Sequence, residues 1–402
     1  MHQEPQQPQH QQCQHQQQRQ QQPQQRTPTG QVVAQLVTLG ALLLSAALFG
    51  AGTTPALAAP QHLARPAHPA HPARLARLAH AVAAPAPAVL DPAIRVTKIV
   101  LPQTSIDGPA LSSVLTLVQG QSFNRSVIAW TGTDAAHHLN VERSAEGLTF
   151  FDKRTLGETS LFRPDVTQIG QPEGGFVTVA WTGTDANHSL NVLVDVYGTS
   201  PKKLTLRTEN SFTAPAILQI DSTLFLAWTG TDANHSLNIL PITVTGTSLV
   251  PGTKTILSQF SSNAGPHLAQ RGGNTVVLNW TSRTLHLTAA TSQDGVHFPD
   301  VATSVQTSAF APDTTPLPPA PVSSDMIGWT GTDAAHHLNL QFTSSFPAFP
   351  DPATKIVLGE TAFGGPALAL EQVAMAVPVA FPQLAWTGTD SAHHLNIAKI
   401  QI

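Results

Sequence analysis

Five segments of the chain carry the same set of an indole, a carboxylate, an imidazole and a carboxamide. The first reads Trp130-Thr131-Gly132-Thr133-Asp134-Ala135-Ala136-His137-His138-Leu139-Asn140-Val141, and it recurs from Trp181, Trp228, Trp329 and Trp386. A decayed copy, Asn279-Trp280-Thr281-Ser282-Arg283-Thr284-Leu285-His286-Leu287, lies between them, so the six tryptophans fall one to a copy. An aromatic ring ringed by planar polar groups is suited to a sugar, whose apolar face stacks while its hydroxyls find donors and acceptors. The candidate binding residues are therefore Trp130, Asp134, His138 and Asn140, then Trp181, Asp185 and Asn191, then Trp228, Asp232 and Asn238. Trp329, Asp333 and Asn339, and finally Trp386, Asp390 and Asn396, complete the set.

Each of these residue types also has a purely structural use. Tryptophan packs a large apolar area, glycine supplies backbone freedom, and Asp and Thr tie turns through nearby amides. Repeats share their structural needs by construction, so both readings stand for the motif. Metal binding does not fit. His137 and His138 are adjacent and are expected on opposite faces of a strand, and no cysteine or dense carboxylate cluster accompanies them. No cofactor is implied.

Catalysis has little to draw on. Hydrolysis of a glycoside needs two carboxylates facing each other across a pocket. Outside the motif the candidates are Glu158, Asp165, Glu209, Asp325 and Glu360, and nothing singles out a pair. Glu158 and Glu360 occupy the same Leu-Gly-Glu-Thr, which suggests a shared turn. There is no phosphate-cradling glycine loop and no Gly-x-Ser-x-Gly elbow. No catalytic residue is assigned.

The elements that must position the motif follow from its pattern. Leu224 to Trp228 is apolar and β-prone, Thr-Gly-Thr-Asp is a turn, and His235 to Ile239 alternates, which together make a hairpin. Ala214 to Ile220 precedes it, and Lys203 to Arg207 or Thr253 to Ser258 supplies the fourth strand. A proline precedes each copy (Pro109, Pro164, Pro215, Pro266, Pro316 and Pro366), giving a period of about 50 residues. Four short strands per unit and six units describe an all-β, six-bladed propeller of four-stranded antiparallel blades over residues 94–402. Val96 to Leu101 copies Ala353 to Leu358, the last strand of its unit, whereas the final copy stops just after its hairpin. The N-terminal strand is thus expected to complete the Trp386 blade and leave no open edge.

The preceding residues read differently. Residues 1–30 are a Gln/His/Pro tail expected to stay disordered. Residues 31–58 hold an uncharged apolar run, 32–51, with Arg19 and Arg26 before it and Ala56-Leu57-Ala58 after it. This is the pattern of a secretory signal, with an uncleaved membrane anchor as the alternative. Residues 59–93 form an Ala/Pro/His linker.

The chain has 402 residues, a formal net charge of −4 and only 11% charged residues, against about 25% in an average domain. That excludes coiled coils, and it leaves no basic footprint for nucleic acid. One cysteine, Cys13, rules out a disulfide framework. A monomer is expected.

Two further segments carry a family resemblance. Arg143-Ser144-Ala145-Glu146-Gly147-Leu148-Thr149-Phe150 and Thr291-Ser292-Gln293-Asp294-Gly295-Val296-His297-Phe298 resemble degraded forms of the sialidase Asp-box, Ser-x-Asp-x-Gly-x-Thr-Trp. With six units, residues 94–402 resemble the sialidase-like propellers. The resemblance implies the scaffold and sugar-related chemistry. The sialidase catalytic set of an arginine triad, a Tyr–Glu pair and an acidic Asp has no counterpart: Tyr197 is the one tyrosine, and no arginine follows Arg283. The expected role is an extracytoplasmic, non-catalytic module binding glycan or envelope polysaccharide. A sialidase-type hydrolase and a protein-interaction scaffold are the alternatives.

Overall fold

The computed structural model describes residues 94–402, apart from 119–120, 147, 169–175, 318–323, 344–345, 350–353, 374–378 and 402. The tail, signal segment and linker expected at 1–30, 31–58 and 59–93 lie outside the described residues. The described chain is all β and forms six antiparallel sheets. In the first blade the strands run from the axis outward as Ala110–Val118, Gln121–Thr131, His138–Glu146 and Thr149–Thr159. The innermost strands of neighbouring blades touch in a closed cycle, which makes the six sheets a propeller.

Burial explains the strand compositions. The two middle strands of the second blade, Val177–Thr182 and Ser189–Val194, are buried along their whole length. They lie between neighbouring blades, so they read as near-continuous apolar runs with small polar residues. The outermost strand, Thr149–Thr159 in the first blade, faces solvent and mixes charged with apolar residues. The third blade departs from the four-stranded plan. Its third strand, Ser236–Thr245, overshoots and folds back through Gly246 (φ +58°) into a short fifth strand, Ser248–Pro251.

Closure follows the expected scheme. Arg95–Thr104 pairs antiparallel with His394–Gln401, with Val96 opposite Ile400 and Ile99 opposite Ile397. It is the outer strand of the sixth blade, which otherwise comprises Ala367–Val373, Val379–Thr387 and His394–Gln401. One proline anchor needs correction. Pro109, Pro164, Pro215, Pro266 and Pro366 each stand just before an innermost strand, but in the fifth blade that place belongs to Pro312, ahead of Asp313–Pro316. Pro316 ends that strand instead. At the entry to a strand a missing N–H costs little, which suits proline there.

There is no single core. Six buried clusters sit between the blades, and each contains one tryptophan together with side chains of the preceding blade. Trp130 shares its cluster with Ala385, Leu395 and Ile397 of the sixth blade, and Trp228 shares its cluster with Leu190 and Val192 of the second. All six indoles are at most 2% exposed.

Two expectations follow. Trp228→Ala leaves a cavity in one junction and should lower the unfolding free energy by about 3 to 5 kcal/mol in chemical denaturation; a loss under 1 kcal/mol would mean the indole is not a packing residue. Deleting Val96 to Leu101 bares the edge of the sixth blade, so aggregation or loss of cooperative melting is expected. An unchanged melting curve would rule out closure by this strand.

Candidate functional site between the blades

The repeated motif builds a tied hairpin end. In the first blade Gly132 N–H donates to His138 O (2.8 Å) and His137 N–H to Asp134 O (2.9 Å). The Asp134 carboxylate accepts from the Ala136 and His138 amides and pairs with His138 Nδ1 at 2.7 Å. Desolvation opposes ionisation of Asp134, but the His138 ring and amide bonds prevail and hold its carboxyl below the usual range. Asn140 Nδ2 donates to His138 O and its Oδ1 accepts from Thr155. A Cβ on Gly132 would lie 2.8 Å from Asp134 Oδ2 and 2.9 Å from Asn140 Nδ2, so the carboxylate and amide close over the backbone only because glycine is there.

His137 is not on a strand, contrary to expectation: it sits in the turn with φ 57°. His188, His235, His336 and His393 hold the same left-handed conformation, with φ between 51° and 56° for the first three and 57° for the last. Such a backbone costs roughly 1 to 2 kcal/mol for a residue with a Cβ. Ring contacts offset it: His235 lies 4.1 Å from Phe212 and His393 lies 4.4 Å from Phe363, centroid to centroid. The same turn recurs at Asp185, Asp232, Asp333 and Asp390. Asn191, Asn238, Asn339 and Asn396 likewise donate to the backbone two residues earlier.

The motif also joins the blades. The threonine after each tryptophan donates its hydroxyl to the crossover leading into the next blade: Thr131 to Phe162 O, Thr182 to Thr213 O, and so on to Thr387, which reaches Asp107 O. All six such bonds are 2.6 or 2.7 Å long.

A hollow lies at one of the junctions. Between the outer strand of the sixth blade and the first blade lies a space of about 630 Å³ lined by Gln103, Thr104, Trp130, Asp134, His138, Asn140, Lys153 and Thr155 among others. Four expected site residues, Trp130, Asp134, His138 and Asn140, thus meet around it. Gln103, Lys153 and Thr155 had not been expected. They lie on the outermost strands, and the signal for one of them was present: Gln103-Thr104-Ser105 replaces the Glu-Thr-Ser seen at Glu158. The other copies of the motif, from Trp181, Trp228, Trp329 and Trp386, keep their tryptophan just as deeply buried.

A second cluster lies on the axis. The residues flanking the entry prolines are small in three blades, whereas the other three carry Arg163 and Asp165, His267, and Asp313. Arg163 Nη2 reaches Asp313 Oδ2 (3.0 Å), Nη1 donates to Pro366 O (2.8 Å), and its backbone N–H donates to Asp107. A Cβ on Gly365 would already be 3.3 Å from Arg163 Nη1, so the small residues make room for the guanidinium. Asp165 caps the amides of Val166 and Ile217. Innermost strands have no neighbour on their axial side, and these groups satisfy the backbone there.

Burial governs the titration of this cluster. It pushes the Asp313 carboxyl up to about 6 and raises Asp165, both against the pull of Arg163. It pushes His267 down to about 4. His267 Nδ1 accepts from Thr314 N–H, which puts the ring proton on Nε2, 3.1 Å from Asp313 Oδ1. Arg271 and Asp325 form a neighbouring pair at 3.1 Å, with Asp325 pushed up to about 6 by burial.

Arg163→Met strands two buried carboxylates, which should cost about 3 to 5 kcal/mol. The sign with pH is fixed. Asp313 already has a folded pKa above its unfolded value, and losing the guanidinium raises it further, so the stability it contributes is lost as pH rises through that pKa. Denaturation of the variant should therefore show a deficit that is large at pH 8 and smaller at pH 5. A pH-independent deficit would mean that the carboxylates are not what Arg163 supports.

No family model matches the chain, and no curated protein matches it. Among solved structures it is similar to the Aleuria aurantia lectin seen with alpha-methyl-L-fucoside, at 8% identity and a TM-score of 0.47 over 74% of this chain and 96% of the lectin. It is similar to Trypanosoma rangeli sialidase in complex with sialic acid, at 10% identity and a TM-score of 0.48 over 77% of this chain and 59% of the sialidase. It is also similar to a Penicillium chrysogenum alpha-L-arabinanase complexed with arabinobiose, at 11% identity and a TM-score of 0.49 over 76% of this chain and 98% of that one.

Proposed function

We propose that the protein is a secreted or envelope-associated propeller that binds glycan through its blade junctions and does not cleave it. The observation that carries this reading is the hollow beside Trp130. It brings an ammonium group (Lys153), an imidazole (His138), amides and a carboxylate around the edge of an indole. Sugars are bound by such mixtures of donors and acceptors with an apolar floor. Use of the axial carboxylates supports binding over hydrolysis. Asp165 and Asp313 are engaged with strand amides, Arg163 and His267. Several junctions on one chain would add avidity to weak individual contacts.

A glycan array tests the proposal with the full chain. Saturable retention on a defined subset of glycans is expected, with retention by Lys153→Ala weakened roughly ten-fold or more and its melting temperature unchanged. Turnover of fluorogenic glycosides, abolished by one carboxylate substitution, would replace this reading with a hydrolase. Silence in both assays would leave a protein-interaction scaffold.

A further inference from the structure

The six junctions are not chemically alike. The outermost strand of each blade carries one residue two places before the crossover, beside the next blade. At three junctions it is a glutamate that grips a lysine lying over the next tryptophan. Glu158 holds Lys203 at 2.5 Å, with the ammonium 5.2 Å from the Trp181 ring. Glu209 holds Lys254 at 2.6 Å above Trp228, and Glu360 holds Lys98 at 2.7 Å above Trp386. At a fourth junction Phe260 stacks on Trp280 with centroids 4.8 Å apart. At the last two the residue is glutamine: Gln103 ahead of the first blade and Gln306 ahead of the fifth.

The blades after those glutamines differ at a second place. Opposite Ile128 and Ile327 stand Glu142 and Gln341, where the other four blades have leucine or alanine. In the first blade the two differences meet. Gln103 Nε2 donates to Glu142 Oε2 at 2.9 Å, which draws the amide to the wall of the blade. Lys153 stays 5.1 Å from the Trp130 ring and feels the Glu142 carboxylate of its own blade, but no described carboxylate of the preceding blade pairs with it, and the hollow lies at this junction. Gln103 Oε1 is buried and accepts no hydrogen bond.

We infer that the Glu–Lys pairs are latches that shut their junctions, and that the glutamine junctions, foremost the one between the sixth and first blades, are where a neutral pyranose binds. The inference rests on the glycan-binding reading. Lys153 Nζ and the Asp134 carboxylate, both exposed at the hollow, offer a donor and an acceptor to sugar hydroxyls. Glu142 and Asp134 disfavour an acidic sugar.

The latch can be moved. Glu360→Gln removes the carboxylate that holds Lys98 at the last junction, beside Trp386, Asp390, His394 and Asn396, with Ala398 where the first blade has Glu142 and Val100 where it has Thr155. Gln103→Glu supplies Lys153 with a carboxylate from the preceding blade, as the three latched lysines have. Calorimetric titration of the full chain with methyl α-D-mannoside, methyl β-D-galactoside and methyl α-L-fucoside should show one more site in Glu360→Gln and one fewer in Gln103→Glu. Equal site numbers in wild type and both variants would overturn the latch and leave glycan binding intact. Acetylation with acetic anhydride, read lysine by lysine by mass spectrometry, tests the latch without sugar. Lys153 should react about two- to five-fold more slowly in Gln103→Glu, and Lys98 faster by the same factor in Glu360→Gln, as befits an exposed ion pair. Unchanged lysine rates would overturn the latch outright. Changed rates with no glycoside bound by any variant would overturn the sugar assignment together with the reading beneath it.

Discussion

Each tryptophan must be seated against the blade before it, and most of the structure follows from that. A lone four-stranded sheet buries neither face, so every blade depends on its neighbours. The Trp-Thr dipeptide makes the dependence specific. The Trp130 indole enters the interface with the sixth blade, while the Thr131 hydroxyl bonds the crossover into the second. Two consecutive residues thus fix one blade relative to both neighbours, and the same pair does so at every junction. In five of the six blades the glycine that follows is equally constrained, because the Asp and Asn side chains fold over it with no room for a Cβ. The carboxylate and amide of the motif are spent largely on the turn that holds the tryptophan strand in place.

This is why the fold was legible in the sequence and the site only in part. The hairpin, the sixfold count and the closing strand all show in residues that recur, because each junction makes the same demand. A residue present at every junction cannot say which junction is special. The distinguishing residues, Gln103 and Glu142, sit on strands whose sequences drift between copies. Their pairing depends on register across two blades, which no local pattern reveals. The axial cluster was missed for a related reason. Both Pro312 and Pro316 fit the spacing of the repeat, and counting from Pro316 puts Asp313 out of line with Asp165 and His267, which hides that the three share one place.

Charge is scarce in this chain, and it is placed where symmetry breaks. Three of the lysines over indoles are bound to glutamates of the preceding blade, and Arg163 spans the axis to a carboxylate of another blade. Exposed pairs of the first kind contribute little to stability, about 0 to 1 kcal/mol each. The axial group is buried and satisfies strand edges that face no neighbour. The polar remainder of the surface is threonine, serine, asparagine and histidine.

The way the ring closes has a consequence for how the protein is made. Arg95–Thr104 emerges from the ribosome first among the described strands, yet its partner, His394–Gln401, emerges last. For nearly the whole of translation the earliest strand has no sheet to join, and the growing stack of blades ends in open edges at both sides. Pairing across such a separation carries a large loop-closure cost and forms slowly. Closure of the ring must therefore wait until His394–Gln401 has been made. An unfinished propeller presents just those edges that invite aggregation.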